Sequence, residues 1–197
     1  MKRFLTTLIL GTMLITIPSI ALKQNEIQPK MQEKINSAIL ILDSKGATKE
    51  QKARKIFAIL DEVFDYPTMA RIALGKGQWD KITQTQRDDF IKAFEMKLKQ
   101  SYVEKLELYD NQKVSIIKVA PHQNGRLQLQ TQLIGKGEIY PVNYNFHDRG
   151  RKNNWLIYDV DISGVSIIQT YRQQFAGLLK TKSFDELLRE LKQGNIK

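Results

Sequence analysis

The chain has 197 residues, a formal net charge of +10 at pH 7 and no cysteine. This length suits one compact domain with a sizeable core, and the absence of cysteine excludes disulfides, thiol catalysis and Cys-based metal sites. The excess of lysine and arginine favours an acidic partner, such as anionic lipid head groups or acidic protein surfaces. A basic surface that only keeps the protein soluble fits equally well. We expect no nucleic-acid partner, because the basic residues form no stripe interleaved with exposed aromatics.

The first 21 residues have the pattern of a secretory signal peptide. Lys2 and Arg3 give a basic start, residues 4–17 form an apolar run, and residues 19–21 (Ser-Ile-Ala) supply the small residues that a signal peptidase reads. The apolar run is shorter than the roughly 20 residues that span a bilayer, so a membrane anchor is the weaker alternative. We therefore expect an exported protein in which residues 22–197 fold as one domain.

The first part of the mature chain shows the spacing of amphipathic helices. Gly46 separates the first two predicted helices, and residues 65–67 (Asp-Tyr-Pro) start a third, because proline is accepted only in the first turn of a helix. Residues 75–77 end that helix, and residues 83–86 offer a capping box for a longer one. The apolar stripes of these helices are Ile35, Ile39 and Leu42; Ala53, Ile56, Phe57, Leu60 and Phe64; Met69, Ile72 and Ala73; and Phe90, Phe94, Leu98, Tyr102 and Leu106.

After Asn111 the spacing of apolar residues changes to alternation, which predicts strands. Residues 124–125, 135–137 and 148–150 are typical of turns, so consecutive strands should pair in antiparallel fashion. The alternating residues of the four predicted strands are Val114 and Ile116; Leu127, Leu129, Thr131 and Leu133; Tyr140, Val142, Tyr144 and Phe146; and Leu156, Tyr158, Val160 and Ile162.

Helical spacing returns after Gly164, first over residues 165–180 and then in a final helix that Ser183 and Glu186 cap. The order along the chain is helices, antiparallel strands, helices. This order predicts an α+β fold with a helical layer packed on a strongly twisted antiparallel sheet of about four strands, that is, an NTF2-like sheet with a helical part.

Neither histidine has the neighbours that a metal site needs. His122 lies in a predicted turn beside Pro121, and His147 lies at the end of a predicted strand beside Asp148. No second histidine or helix-spaced carboxylate accompanies either one, so we expect both at the surface. No serine lies in a nucleophile elbow. We expect no enzyme, no catalytic residue and no metal site.

Asp159 and Asp161 lie two residues apart on a predicted strand and therefore on one face, as the two carboxylates of an acid–base pair can. They alternate with Tyr158 and Val160. If those two residues point toward the helices, the carboxylates point away. We expect a solvated or arginine-paired face.

The predicted sheet carries more apolar and aromatic surface than its length requires. Tyr140, Val142, Tyr144 and Phe146 line one strand, and the predicted helices oppose them with apolar stripes of their own. A plain hydrophobic core and an apolar pocket both fit this pattern.

Two long motifs resemble signatures of the MlaC family, also known as toluene-tolerance proteins, which are periplasmic and bind phospholipid. The first is residues 63–75 (VFDYPTMARIALG). The second comprises residues 155–160, 164–166 and 171–175, which resemble the strand-to-helix signature of the family. The similarity covers nearly the whole mature chain and departs from the family pattern at Thr170, where relatives often have asparagine.

This resemblance implies a periplasmic carrier, expected to be monomeric, with a deep cavity that holds acyl chains and leaves the head group outside. It implies a shuttle between an outer-membrane lipoprotein–porin complex and an inner-membrane ABC transporter with ring-forming lipid-binding domains, which maintains outer-membrane lipid asymmetry. The glycerophospholipid is cargo, and no cofactor is expected. The expected cavity wall, matched by motif position and strand phase, is Met69, Ile72, Tyr109, Val142, Tyr144, Tyr158, Val160, Val165 and Ile168.

Three points stay open at this level. Arg71 and Arg172 fit either a head-group phosphate or a structural pair with a carboxylate. An NTF2-like enzyme that acts on a small apolar substrate would need an ionisable group pointing into the pocket. A ligand-free adaptor would have a filled interior.

Overall fold

The computed structural model describes residues 21–105 and 109–196, with the backbone alone for residues 102, 104 and 105. The predicted signal segment lies outside these residues, except for Ala21. The described residues form an α+β fold, as predicted: helices, then an antiparallel sheet, then further helices.

Four of the five helices in the first half begin close to where the local sequence predicts, and the one-turn helix at residues 76–79 was not predicted. Thr48 caps the second helix by accepting a 3.2 Å hydrogen bond from the Gln51 N–H, and Asp65 caps the third, which has Pro67 in its first turn. A one-turn helix links the third helix to the long fifth one. The five are α1 (Ile27–Asp43), α2 (Lys49–Leu60), α3 (Tyr66–Leu74), α4 (Lys76–Trp79) and α5 (Gln84–Lys105).

Five antiparallel strands form an open sheet in the order in which they occur in the chain. The four predicted strands are confirmed. The fifth corrects the prediction that a helix begins at Val165, because Val165 and Ser166 first pair with the end of the fourth strand. The strands are β1 (Lys113–His122), β2 (Arg126–Gly135), β3 (Glu138–Asp148), β4 (Trp155–Ile162) and β5 (Val165–Ser166).

Two helices follow the sheet. Helix α6 (Ile167–Leu178) begins directly after β5. Helix α7 (Phe184–Lys192) begins after Ser183, which forms the predicted capping box with Glu186. Their apolar faces pack on α3 and α5 in one helical core.

A β-bulge in β4 changes the phase of its side chains. Ile157 and Asp159 pair with the adjacent β3 residues 145–146, which leaves Tyr158 as the extra residue. Val160 therefore lies on the same face as Ile157, and Tyr158 lies on the opposite face. The prediction that Tyr158 and Val160 share a face is wrong for this reason.

Two apolar clusters hold the fold together. The helical core joins α3, α5, α6 and α7, and its largest fully buried side chains are Met69, Phe90, Phe94, Ile168, Phe175 and Leu187. The sheet core packs α1 against one face of the sheet, which we call the inner face, and includes Ile27, Met31, Leu129, Phe146, Ile157 and Val160.

The free edge of β4 is covered along its length. Leu22 exchanges two backbone hydrogen bonds with Trp155, of 2.8 and 3.0 Å, and the Asp65 N–H donates to the Ile157 carbonyl at 2.8 Å. Strand β5 pairs with the last two residues of β4. This cover satisfies backbone groups that an edge strand would leave open, and it attaches the helical layer to the sheet.

A buried carboxylate joins the start of α3 to the sheet. Asp65 is 2% exposed, and it accepts hydrogen bonds from the Thr68 N–H at 3.1 Å and the Thr68 hydroxyl at 2.9 Å. Its Oδ2 also lies 2.8 Å from Nε2 of His147. Burial by itself raises the pKa of Asp65, but the hydrogen bonds from His147 and Thr68 outweigh it and hold the pKa below its ordinary value. The predicted surface position holds only in part for His147, since its side chain is 22% exposed and pairs with this buried carboxylate.

Asp159 also corrects a prediction, because it faces neither solvent nor an arginine. It is buried, and it accepts hydrogen bonds from the Ser166 hydroxyl at 2.6 Å and the Ile168 N–H at 3.1 Å. Burial outweighs these hydrogen bonds and raises the pKa of Asp159. The carboxylate thus fastens the start of α6 to β4.

The two histidines should differ in their effect on stability. We expect His147→Ala to lower the free energy of unfolding by about 1–3 kcal/mol, because it removes a partner of a buried carboxylate. His122→Ala is the matched control: this half-buried residue at the end of β1 should change stability by only about 0.5 kcal/mol. Urea denaturation at pH 7.5 followed by circular dichroism measures both. Equal values for the two variants would contradict the structural role of His147.

Candidate functional site

A cavity lies between the helical layer and the inner face of the sheet. Its volume is about 200 Å³. Helices α2 and α5, the segment before α3 together with its first residue, and strands β3 and β4 contribute its described lining. These residues are Ala53, Ile56, Phe57, Leu60, Phe64, Tyr66, Leu98, Lys99, Val142, Tyr144, Val160 and Ile162.

The cavity is closed at one end and opens at the other. Phe146 and Ile157 of the sheet core are fully buried at the closed end. Further along the strands the exposure of the inner face rises, from 6% at Val160 to 37% at Ile162. Val142 pairs with Ile162, so this pair lies at the mouth.

Lys99 is the one lysine, arginine or acidic residue in the described lining, and its ammonium already forms ion pairs with two carboxylates. Its Nζ lies 2.6 Å from Asp61 Oδ2 and 2.7 Å from Glu95 Oε1, and the rings of Phe57 and Tyr66 flank it at 5.6 and 5.0 Å. Burial by itself lowers the pKa of Lys99, but the hydrogen bonds and charges of the two carboxylates outweigh it and raise the pKa. The ammonium is therefore held in the wall, and most of the remaining lining is apolar.

The structure brings three of the predicted wall residues together. Val142, Tyr144 and Val160 line the cavity, and Tyr144 pairs directly with Val160 across β3 and β4. All three project from the inner face. That these residues contact a lipid remains a prediction.

Three other predicted wall residues lie elsewhere. Met69 and Ile168 are 1% exposed in the helical core, where they pack on other helices. Tyr158 lies on the outer face, where its hydroxyl accepts a 3.1 Å hydrogen bond from Arg126 and its ring lies 4.4 Å from the guanidinium. The bulge in β4 explains the position of Tyr158.

The last three predicted wall residues lie at the margins. Val165 is 60% exposed on β5, where it pairs with Ile162 at the mouth of the cavity. Ile72 is half-buried against the helical core. Tyr109 donates a 2.8 Å hydrogen bond to Asp43 at the end of α1, and burial together with this carboxylate raises its pKa to about 12. Arg71 and Arg172 are exposed on α3 and α6, outside the described lining.

Sequence reasoning missed the part of the wall that α2 supplies. Ala53, Ile56, Phe57 and Leu60 all belong to the apolar stripe that helical spacing predicts, and the structure turns this stripe toward the cavity. The spacing identifies a buried face. It does not say whether that face meets another helix or an open space.

Two further observations concern the residues that the structure describes. They contain no group of three His, Asp or Glu side chains that could hold a metal ion. None of their helices is both long and apolar enough to cross a membrane.

Helices laid on one face and one edge of an open antiparallel sheet, with an apolar cavity between the layers, define the class as an α+β protein with an internal apolar pocket. A family model described as "MlaC protein" matches residues 32–193. The chain belongs to the MlaC family.

Two curated relatives agree with this assignment. The intermembrane phospholipid transport system binding protein MlaC of Haemophilus influenzae is 26% identical over 121 residues, which are 59% of this chain and 56% of that protein. The toluene tolerance protein ttg2D of Pseudomonas putida is 26% identical over 128 residues, which are 64% of this chain and 59% of that protein. The matched stretches thus span less than two thirds of either relative.

A solved structure shares the fold. The phospholipid-binding protein from Ralstonia solanacearum, determined in complex with a phospholipid, superposes with a TM-score of 0.72 over 89% of this chain and 97% of that one. The two sequences are 22% identical. The predicted arrangement of helices on an antiparallel sheet is therefore confirmed.

Two substitutions close together in sequence test which residues around the start of α6 are buried. We expect Val165→Glu to change the free energy of unfolding by no more than about 0.5 kcal/mol, because Val165 is exposed. Ile168→Glu should lower it by several kcal/mol, because it places a carboxylate without a partner in the helical core. Thermal melts followed by circular dichroism distinguish the two. Unfolding of the Val165→Glu variant would show that Val165 is buried and would contradict its exposed position.

Proposed function

We propose that this protein is a non-enzymatic periplasmic carrier that holds the acyl chains of a glycerophospholipid in the cavity, with the head group outside. The observation that carries the proposal is the cavity itself, which is apolar, closed at one end and open at the Val142–Ile162 pair. Membership of the MlaC family and a shared fold with a phospholipid-bound protein support it. The secretory pattern of the first 21 residues supports the compartment.

Burial of acyl chains is a sufficient driving force for binding. Each methylene removed from water contributes about 0.8 kcal/mol, so ten methylenes contribute a gross 8 kcal/mol or so before the costs of ordering and association. No recognition of the head group is needed for this gain. A carrier that binds chiefly by chain burial also releases its cargo wherever another apolar site accepts it.

The proposed transport route joins two membranes. We place this carrier between an outer-membrane lipoprotein–porin complex and an inner-membrane ABC transporter, where a monomer that hides the chains from water would move lipid across the aqueous space. The support is the family and the name of the Haemophilus influenzae relative, an intermembrane phospholipid transport system binding protein.

The cavity lining also distinguishes the carrier from the two alternatives, an enzyme and a ligand-free adaptor. An enzyme for a small apolar substrate would need a free acid or base facing inward, whereas Lys99 in the described lining is held by Asp61 and Glu95. A ligand-free adaptor would have a filled interior. An open apolar cavity favours the carrier over both.

The direct test is to identify what the purified protein contains. We expect organic extraction and native mass spectrometry to show near-stoichiometric glycerophospholipid in protein from a bacterial host, because an apolar pocket of this size favours acyl chains over water. A spectrum with only the bare polypeptide would contradict the proposal.

A charged substitution in the wall should remove the lipid and spare the fold. We expect Val142→Glu to retain less than about a tenth of the wild-type lipid, because the chains would lie against a carboxylate, while water in the emptied cavity hydrates that charge. Ile117→Glu places the same charge at a residue of β1 that is 49% exposed and should retain its lipid. Full lipid content in a folded Val142 variant would contradict the assigned wall.

A further inference from the structure

Tyr144 carries the one polar group of the described cavity lining that has no partner within the described residues. The hydroxyl of Tyr66 donates to Asp61 at 2.7 Å, and the ammonium of Lys99 is held by two carboxylates. The Tyr144 hydroxyl, by contrast, has no hydrogen bond to any described residue. Burial alone raises the pKa of Tyr144, which agrees with an environment free of partners and charges.

The hydroxyl is nevertheless not sealed inside the protein. Among described side chains, the fully inaccessible polar atom without a partner is Oε1 of Gln174, which lies outside the described lining of this cavity. Tyr144 is only partly buried, and its side chain lines the cavity. A hydroxyl without a hydrogen bond in apolar surroundings is unfavourable, and no described residue supplies an acceptor to Tyr144, so we expect the cavity's occupant to supply one.

The depth of Tyr144 indicates which atom of a phospholipid that acceptor is. Val142 lies two residues nearer the mouth on the same strand, about 7 Å away, and its partner Ile162 is already 37% exposed. A phosphate outside the mouth would lie farther from Tyr144 than the groups that enter the cavity. The acyl chains offer no acceptor along their length except the ester groups at their start, and these groups would lie just inside the mouth.

We propose that the Tyr144 hydroxyl donates a hydrogen bond to an ester carbonyl oxygen of the bound lipid. This inference rests on the proposed function. It makes Tyr144 a residue that sets the depth of the lipid and selects ester-linked over ether-linked chains, because an ether lacks the carbonyl oxygen.

The experiment is a competition between two lipids. Purified protein is delipidated and equilibrated with detergent micelles that contain equal amounts of dioleoylphosphatidylglycerol and its dioleyl ether analogue, and native mass spectrometry measures the bound ratio. We expect wild-type protein to prefer the ester lipid about two- to tenfold, the range that one net hydrogen bond supplies. Tyr144→Phe, which keeps the ring, should bind the two lipids equally.

Tyr158→Phe is the matched control, since it removes a tyrosine hydroxyl from the outer face of the same sheet. It should keep the wild-type ratio. Wild-type protein without preference, or a Tyr144→Phe variant that keeps the preference, would overturn the assignment. Equal weakening of both lipids by Tyr144→Phe would also overturn it, because the hydroxyl would then bind a group that both lipids share. Wild-type protein that takes up neither lipid would instead contradict the proposed function.

Discussion

The β-bulge at Tyr158 decides which side chains of β4 face the cavity. Before the bulge, Ile157 packs in the sheet core opposite Phe146; after it, Val160 and then Ile162 continue along the same inner face. Without the extra residue, every later side chain of β4 would point to the opposite face. The bulge therefore keeps the apolar residues of β4 in line with Tyr144 and Val142 of β3.

The same change of phase places two polar residues where they attach other elements. Tyr158 turns to the outer face beside Arg126, and Asp159 becomes available to bind the start of α6. Asp65 forms the corresponding attachment at the start of α3, where it accepts a hydrogen bond from Thr68 and pairs with His147 of β3. Two buried carboxylates thus hold the helical layer to the edge of the sheet, and neither needs to enter the cavity to do so.

The cavity exists because the helical layer is fastened at that edge and is not pressed against the whole inner face. Helix α1 packs against β1, and its Ile27 and Met31 belong to the same apolar cluster as Leu127 and Leu129 of β2. Over β3 and β4 the opposing wall is the apolar stripe of α2 together with Leu98 of α5, and the two walls do not close. The proposed binding and release of an acyl chain would need such an open space, because a completely packed interior has no room for a chain.

The sequence by itself determined the order and type of the elements, since helix caps, proline breaks, turns and side-chain periodicity are all local. Thr48, Pro67 and Ser183 mark helix starts that the structure confirms.

Tertiary structure decided the cavity wall. Val142 and Tyr144 were found from alternation, but Tyr158 was misplaced because a bulge leaves no local signal. An apolar stripe identifies a buried face but does not show which surface packs against it. Met69 and Ile168 were predicted in the cavity wall and lie in the helical core, whereas the stripe of α2 lines the cavity. Which surfaces meet depends on pairing between distant parts of the chain, and local periodicity carries no information about that pairing.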